Sequence, residues 1–122
     1  MPQIVILTSR ESHFAPFSRQ LAESPECRVQ WASALESIDL AMGKAPDLLI
    51  IDTNIDDGSA LDIAQKVIRV NAMVNMVVVS DLSEEDFHEA SEGLGIMARI
   101  SDPPDAEDAP RILELLRQMP GF

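Results

Sequence analysis

Asp52 is the side chain whose place in the sequence most strongly suggests chemistry. It directly follows the aliphatic run 48–51, and Asp81 and Asp102 each follow a later apolar run after one serine. Ligands of open α/β sheets bind beyond the carboxyl ends of the strands, so these three carboxylates are expected at one edge of the fold. Carboxylate oxygens are good ligands for hard divalent cations, and a non-standard cation site built from the three is one interpretation. The other is that Asp52 is a polar strand end that helps to cap the following helix.

The remaining polar candidates have simpler interpretations. Ser80 also ends an apolar run and is expected to be a strand-end hydroxyl whose hydrogen bonds are satisfied locally. His13 and His88 stand alone at helical positions, which favours surface side chains over ligands. Cys27 has no basic neighbour, so a reactive thiol is not expected. The acids that follow Ser83 fit the first turn of a helix, whose dipole favours negative charge.

The charge balance argues against several classes of partner. The 122-residue chain has 21 acidic against 9 basic side chains, and its formal charge of -12 repels phosphate backbones and anionic membrane surfaces. We therefore expect no nucleic-acid partner and no membrane partner. The single cysteine fits a reducing compartment, and neither a basic leader nor a membrane-length apolar run is seen, so a cytoplasmic protein is expected. The length and the 46% hydrophobic content predict one globular domain over residues 1–122.

Five strand patterns alternate with five helical patterns. The predicted strands are 3–7, 28–31, 48–51, 76–79 and 96–100, and 28–31 alternates polar and apolar residues as an edge strand does. The predicted helices have apolar residues at steps of three and four in the segments 14–21, 35–42, 60–68, 87–90 and 109–116. The expected N-caps are Ser12, Ser33, Ser83 in a capping box with Asp86, and Asp105 or Asp108. This alternation predicts an α/β fold: a flavodoxin-like (βα)5 three-layer sandwich with a parallel five-stranded sheet of order 2-1-3-4-5.

In this arrangement the chain resembles, over essentially its whole length, the receiver domain of bacterial two-component response regulators. The resemblance depends on Asp52 after the third strand, Gly58 before the next helix, Ser80 after the fourth strand and Pro103 after the fifth, together with their spacing. It implies that Asp52 is the phosphoacceptor position, which a histidine kinase would phosphorylate. It also implies that Ser80 is the phosphate-contact position and that the backbone carbonyl of Asn54 would be a ligand of Mg²⁺.

At other positions the chain departs from the family pattern. The pair of acids that holds Mg²⁺ in the family corresponds to Thr8 and Ser9. The lysine that neutralises the phosphoryl group corresponds to Asp102, and the aromatic switch residue corresponds to Arg99. Phosphoryl transfer depends on charge neutralisation, and an aspartate in place of the lysine changes an attraction of about 3 kcal/mol (at ~5 Å and an effective dielectric of ~20) into a repulsion. We therefore expect a pocket around Asp52 that repels phosphate, with impaired Mg²⁺ binding and no cofactor.

These departures predict a degenerate receiver: a stand-alone signalling module, not an enzyme, that acts by binding a protein such as a histidine kinase or an effector. By resemblance, a homodimer or a partner would use the face formed by the fourth helix, the fifth strand and the last helix. Two alternatives remain. One is a phosphorelay receiver in which Asp52 accepts a phosphoryl group. The other is a small flavodoxin-like ligand binder, although its first strand–helix turn, 8–12, has hydroxyls but no glycine to hold a phosphate.

Overall fold

A parallel five-stranded sheet forms the centre of the computed structural model, which describes residues 3–23, 28–41, 44–55, 58–94, 96–102 and 104–118. The strands are β1 (Gln3–Leu7), β2 (Arg28–Ala32), β3 (Leu48–Ile51), β4 (Asn75–Val79) and β5 (Ile96–Ile100). Their spatial order is β2-β1-β3-β4-β5, which confirms the predicted order 2-1-3-4-5. All four residues of β3 are buried, as expected of a central strand whose two faces are both covered.

Helices cover both faces of the sheet. On one face, α1 (Ala15–Ala22) and α4 (Asp108–Arg117) bury a cluster that includes Phe17 and Ile112. On the other face, α2 (Ala60–Val70) and α3 (Glu84–Ala90) bury a cluster that includes Ile63 and Phe87. The predicted three-layer α/β sandwich is therefore confirmed. None of the described helices is both long and apolar enough to span a membrane.

The predicted second helix is wrong. Leu35–Ser37 is a single 3-10 turn, and the described residues on either side of it, 33–34 and 38–41, are irregular. The Ser37 hydroxyl donates to the carbonyl of Ala34 at 2.7 Å, and the Asp39 carboxylate accepts from the amide of Ala41 at 3.0 Å. These local side-chain bonds compete with helical hydrogen bonding. Because Ala34 directly precedes the turn, the predicted cap at Ser33 is also wrong.

The other predicted helix starts have mixed outcomes. The hydroxyl of Ser83 caps α3 as predicted. Ser12 caps nothing, because it lies inside a 3-10 turn, Glu11–Phe14, that continues directly into α1. At the start of α4, Asp105 accepts a hydrogen bond from the amide of Glu107 at 3.3 Å, and Asp108 accepts one from the amide of Asp105 at 2.9 Å. These two acids organise the turn that precedes α4. The N-cap residue is Glu107, and its side chain makes no cap hydrogen bond, so the prediction that Asp105 or Asp108 is the cap is wrong.

A short antiparallel ribbon connects β3 to α2. Its strands are Asn54–Ile55 and Gly58–Ser59, and α2 begins at Ala60 with the hydroxyl of Ser59 accepting from the amide of Asp62 at 3.2 Å. The helix therefore starts two residues after Gly58, and Ser59 is its cap. Residues 56–57, Cys27, Met42 and Pro103 lie outside the described residues.

Candidate functional site

The parallel pairing of β1 with β3 places Thr8 and Asp52 side by side. Leu7 is paired with Ile51, and the amide of Asp52 donates to the carbonyl of Leu7 at 3.0 Å, which continues the ladder past the last residue of β3. Thr8 and Asp52 are the buried polar side chains of the described residues, with 2% and 0% of their surface exposed. A buried carboxylate is costly unless it is paired and hydrogen-bonded, so its partners define the site.

Arg10 forms a bidentate salt bridge with Asp52. Its Nε donates to Oδ2 at 2.9 Å, and its Nη2 donates to Oδ1 at 2.6 Å. This is the fork geometry that guanidinium and carboxylate groups favour, and it is stronger than a single-point ion pair. The arginine side chain is 37% exposed, so one side of the pair faces solvent while the carboxylate is buried.

Two threonines complete the environment of Asp52. The Thr8 hydroxyl donates to Oδ2 at 2.6 Å and accepts from the amide of Arg10 at 2.9 Å, so its single hydrogen is committed to the carboxylate. The amide of Thr53 donates to Oδ1 at 2.7 Å. Each of these partners donates, and both carboxylate oxygens are occupied. The short turn after β1 thus supplies Thr8 and Arg10 together, which explains how one turn can satisfy a buried acid.

These contacts set the ionisation of the pair. Burial alone would raise the pKa of Asp52, but the hydrogen bonds from Arg10, Thr8 and Thr53 outweigh it and lower the pKa below its ordinary value. The hydrogen bond with Asp52, assisted by its charge, raises the pKa of Arg10 above its ordinary value, although burial of the guanidinium opposes this. Asp52 is therefore a stable carboxylate, held beside a permanent cation.

The ionic cluster extends to the loop after β5. Oδ1 of Asp102 lies 3.5 Å from Nη2 of Arg10 and 2.8 Å from Nε2 of His13. The Asp102 side chain is 24% exposed and that of His13 is 32% exposed, so this end of the cluster is open to solvent. The order Asp52–Arg10–Asp102–His13 ties the turn after β1 to the loop after β5. His13 is thus a partner of Asp102, which the isolated position of that histidine in the sequence did not indicate.

The expectation that no positive charge lies beside Asp52 was wrong because it omitted Arg10. The prediction counted Thr8, Ser9 and Asp102 around Asp52, and none of these supplies positive charge. Arg10 follows those two neutral residues directly, and a turn that leads away from the strand end can bring the guanidinium back over the carboxylate. The sequence signal for this salt bridge was therefore a single arginine in the turn after β1, close to a strand end that otherwise has acidic and neutral neighbours.

The residues at the site do not fit a Mg²⁺ ion. Mg²⁺ requires oxygen acceptors in octahedral geometry, whereas the groups that contact Asp52 are hydrogen-bond donors. The proposed cation site of Asp52, Asp81 and Asp102 is also not formed, since these described residues do not make a group of three potential metal-ligating side chains. Arg10 binds Asp52, and Arg10 and His13 bind Asp102. Ser9 is exposed, and the backbone of Asn54 belongs to the ribbon.

Ser80 and Arg99 form a separate arrangement at the end of β4. The Ser80 hydroxyl accepts from the amide of Leu82 at 3.1 Å, and the backbone amide of Ser80 donates to the carbonyl of Ile100 at 2.9 Å. Ser80 is therefore satisfied locally, as the sequence predicted. Nη1 of Arg99 donates to the Ser80 carbonyl at 3.1 Å. Arg99 thus contacts the backbone of the residue at the phosphate-contact position.

Comparisons with known proteins agree on the fold. No protein-family model matches the chain, and no curated protein matches it. Among solved structures, the non-phosphorylated HemR receiver domain from Leptospira biflexa is similar with a TM-score of 0.78 and 19% identity, over 100% of both chains. A two-component response regulator from Clostridium difficile gives a TM-score of 0.78 at 16% identity, over 99% of this chain and 100% of that chain. One from Legionella pneumophila gives 0.75 at 17% identity, over 98% and 100%. The chain therefore has the fold of receiver domains.

Proposed function

We propose that this chain is a receiver-like signalling module that acts by binding a protein partner and does not use Mg²⁺-dependent phosphorylation of Asp52. The fold supports a signalling module, since the solved structures that resemble it are a receiver domain and two-component response regulators. The degenerate chemistry is supported by one observation: Arg10 occupies both oxygens of the Asp52 carboxylate. A phosphoryl donor would have to displace the guanidinium from a buried acid before the carboxylate could attack.

The experiment is phosphorylation with a small donor. The purified protein is incubated with acetyl phosphate and Mg²⁺, and its intact mass is measured beside that of a receiver that retains its acid pair and lysine. We expect no phosphorylated species, because the nucleophilic oxygens are occupied and Mg²⁺ has no ligand set. The Asp52→Asn variant is the matched control. A stoichiometric gain of one phosphoryl group that this substitution abolishes would refute the proposal.

The second candidate function, a phosphorelay receiver in which Asp52 accepts a phosphoryl group, has one observation in its favour. Arg10 brings a permanent positive charge to the acceptor, where phosphoryl transfer needs charge neutralisation. In that case the guanidinium would move from the carboxylate to the phosphoryl oxygens, and Arg10→Gln would reduce the yield of phosphorylated protein. Under the leading proposal, the wild type would remain unmodified. The same mass measurement therefore separates the two functions.

A histidine kinase, an effector or a second copy would dock on the face formed by α3, β5 and α4. The support is a groove of about 650 Å³ between these elements, with the half-buried apolar side chains of Met97 and Leu115 in its lining. The homodimer is tested by sedimentation of the wild type and of Leu115→Glu over a range of concentrations. A dimer that this charge leaves intact would place the homodimer interface elsewhere.

A further inference from the structure

β2 (Arg28–Ala32) is an edge strand with one unpaired side. Among the described strands it pairs with β1 alone, in an unbroken parallel register. Natural sheets protect such edges with prolines, bulges or several charges, because an open edge is a template for another strand. β2 contains no proline and no bulge, and Arg28 is its one charged residue. The outer side of β2 is therefore open to a further strand.

The direction of the backbone groups of β2 follows from its pairing with β1. The amide of Thr8 donates to the carbonyl of Ala32 at 2.9 Å, so the backbone groups of Ala32 face β1. This direction alternates along a strand, so Gln30 also faces β1, whereas Val29 and Trp31 face outward. The free edge thus presents two amides and two carbonyls, one of each from Val29 and from Trp31.

The side chains of β2 divide between the two faces of the sheet. Val29 packs against the cluster under α1, and the ring of Trp31 meets that of Phe14 edge-on, with centroids 6.2 Å apart. Trp31 nevertheless keeps 37% of its surface exposed. On the other face Gln30 is exposed, and its Oε1 accepts from Nε2 of Gln3 at 2.9 Å. A strand added at this edge would therefore meet an apolar side and an amide side.

The segment after β2 leaves room on the amide side. Because Leu35–Ser37 is a single 3-10 turn and not a helix, a groove of about 360 Å³ remains there. Gln30, Ala32 and Ile38 are among the residues that line this groove. A second strand can thus approach the edge without displacing a helix.

We propose that β2 pairs with β2 of a second copy of this chain, antiparallel and about a two-fold axis at Gln30. In this register Val29 and the partner's Trp31 exchange main-chain hydrogen bonds, and Trp31 does the same with the partner's Val29. All the outward-facing backbone groups of both strands are then satisfied, and the two sheets become one. This goes beyond the proposed function and uses a different surface from the face formed by α3, β5 and α4.

The occupant is a second copy because the register is self-complementary, as a two-fold contact requires. Val29 lies opposite the partner's Trp31, and a β-branched residue opposite an aromatic one is a favourable cross-strand pair. Arg28 lies opposite the partner's Ala32, so no like charges oppose each other. Each copy has a formal charge of -12, so the two repel at longer range, and added salt should strengthen the association by screening.

The first test is sedimentation of the wild-type chain at concentrations up to about 1 mM, with fluorescence recorded alongside. We expect a monomer–dimer equilibrium that shifts toward the dimer as NaCl is added. Trp31 is the single tryptophan, so its emission should move to shorter wavelength as the dimer buries it. A monomer at every concentration, a dimer that salt dissociates, or a dimer with unchanged emission would overturn the proposal.

Two charge variants test the position of the axis. Gln30 would lie opposite the partner's Gln30, so Gln30→Glu or Gln30→Lys alone opposes two like charges and should raise the dissociation constant at least ~10-fold. An equimolar mixture of the two variants opposes unlike charges and should form a heterodimer at least ~10-fold tighter than either variant alone. Recovery in the mixture would also show that both variants are folded. Loss of the dimer in each variant without recovery in the mixture would overturn the proposal.

Control variants separate this edge from other surfaces. Gln65→Glu and Gln65→Lys make the same charge changes at an exposed glutamine of α2 and should leave the dissociation constant unchanged. Leu115→Glu, in the face formed by α3, β5 and α4, should also leave the dimer intact. A dimer that Leu115→Glu abolishes and the Gln30 variants retain would overturn the proposal.

Discussion

Replacing Arg10 by methionine is the most direct perturbation of the site. Methionine keeps an unbranched stem but removes the charge and all donors, which leaves Asp52 with the bonds from Thr8 and Thr53. A charge pair at ~4 Å and an effective dielectric of ~20 is worth about 4 kcal/mol, and breaking a buried pair costs about 3–5 kcal/mol. Arg10 is 37% exposed, so solvent screens part of this interaction. We expect Arg10→Met to lower the free energy of unfolding by about 2–3 kcal/mol.

A double-mutant cycle isolates the pair. Asp52→Asn removes the buried charge but points an amide donor at groups that already donate, so it should cost about 1–2 kcal/mol. In the double variant no charge is left without its partner. Its loss of unfolding free energy should therefore be smaller than the sum of the two single losses by about 1.5 kcal/mol or more. The measurement is urea unfolding followed by circular dichroism at pH 7, with the slope of each transition compared between variants.

An additive cycle would refute the reasoning. If the two losses sum to within about 0.5 kcal/mol, Arg10 and Asp52 do not stabilise each other and the fork has no energetic role. Arg19→Met is the matched control, because Arg19 is an exposed arginine in the next helix. It should change the free energy of unfolding by no more than about 0.5 kcal/mol.

Three further predictions use the same unfolding assay. Because its pKa is lowered in the folded state, Asp52 contributes stability that is complete above its unfolded pKa of about 4 and is lost as the pH falls through the folded pKa. The difference in free energy of unfolding between the wild type and Asp52→Asn should therefore be constant from pH 7 to 5 and shrink below about pH 4. Asp102→Asn should cost less than about 1 kcal/mol, since its ion pairs are partly exposed, and a loss as large as that of Arg10→Met would show that Asp102 holds the cluster together. Ser59→Ala and Ser83→Ala should each lower the free energy of unfolding by about 1 kcal/mol through loss of a helix cap, whereas Ser12→Ala should be neutral. A loss of stability in Ser12→Ala would mean that Ser12 does cap α1.

The sheet was predictable because burial leaves a clear pattern. The strands 3–7, 48–51 and 96–100 have the predicted bounds, since each is an apolar run between polar turns. The segment after β2 was not predictable in this way. Its apolar spacing is helical, but the side chains of Ser37 and Asp39 bond the backbone of nearby residues. The outcome depends on a balance of local hydrogen bonds that apolar periodicity does not report.

The site was predictable in position but not in charge. Asp52 could be located because the end of a buried strand fixes where its side chain emerges. Arg10 is in an irregular turn, where sequence position does not determine the direction of a long side chain. Its fork on Asp52 depends on the turn geometry that the Thr8 hydroxyl stabilises by accepting from the Arg10 amide. The His13–Asp102 contact joins residues 89 positions apart and likewise follows from the tertiary fold.

The salt bridge between Arg10 and Asp52 makes the counterion of the buried acid a part of the polypeptide. A dissociable ion occupies its site according to its free concentration, so it can be chelated, diluted or exchanged for another. A guanidinium fixed three residues beyond the end of β1 has a constant effective concentration wherever the folded chain is found. The compensation of the Asp52 charge is therefore inherited with the fold and needs no ion from the surroundings.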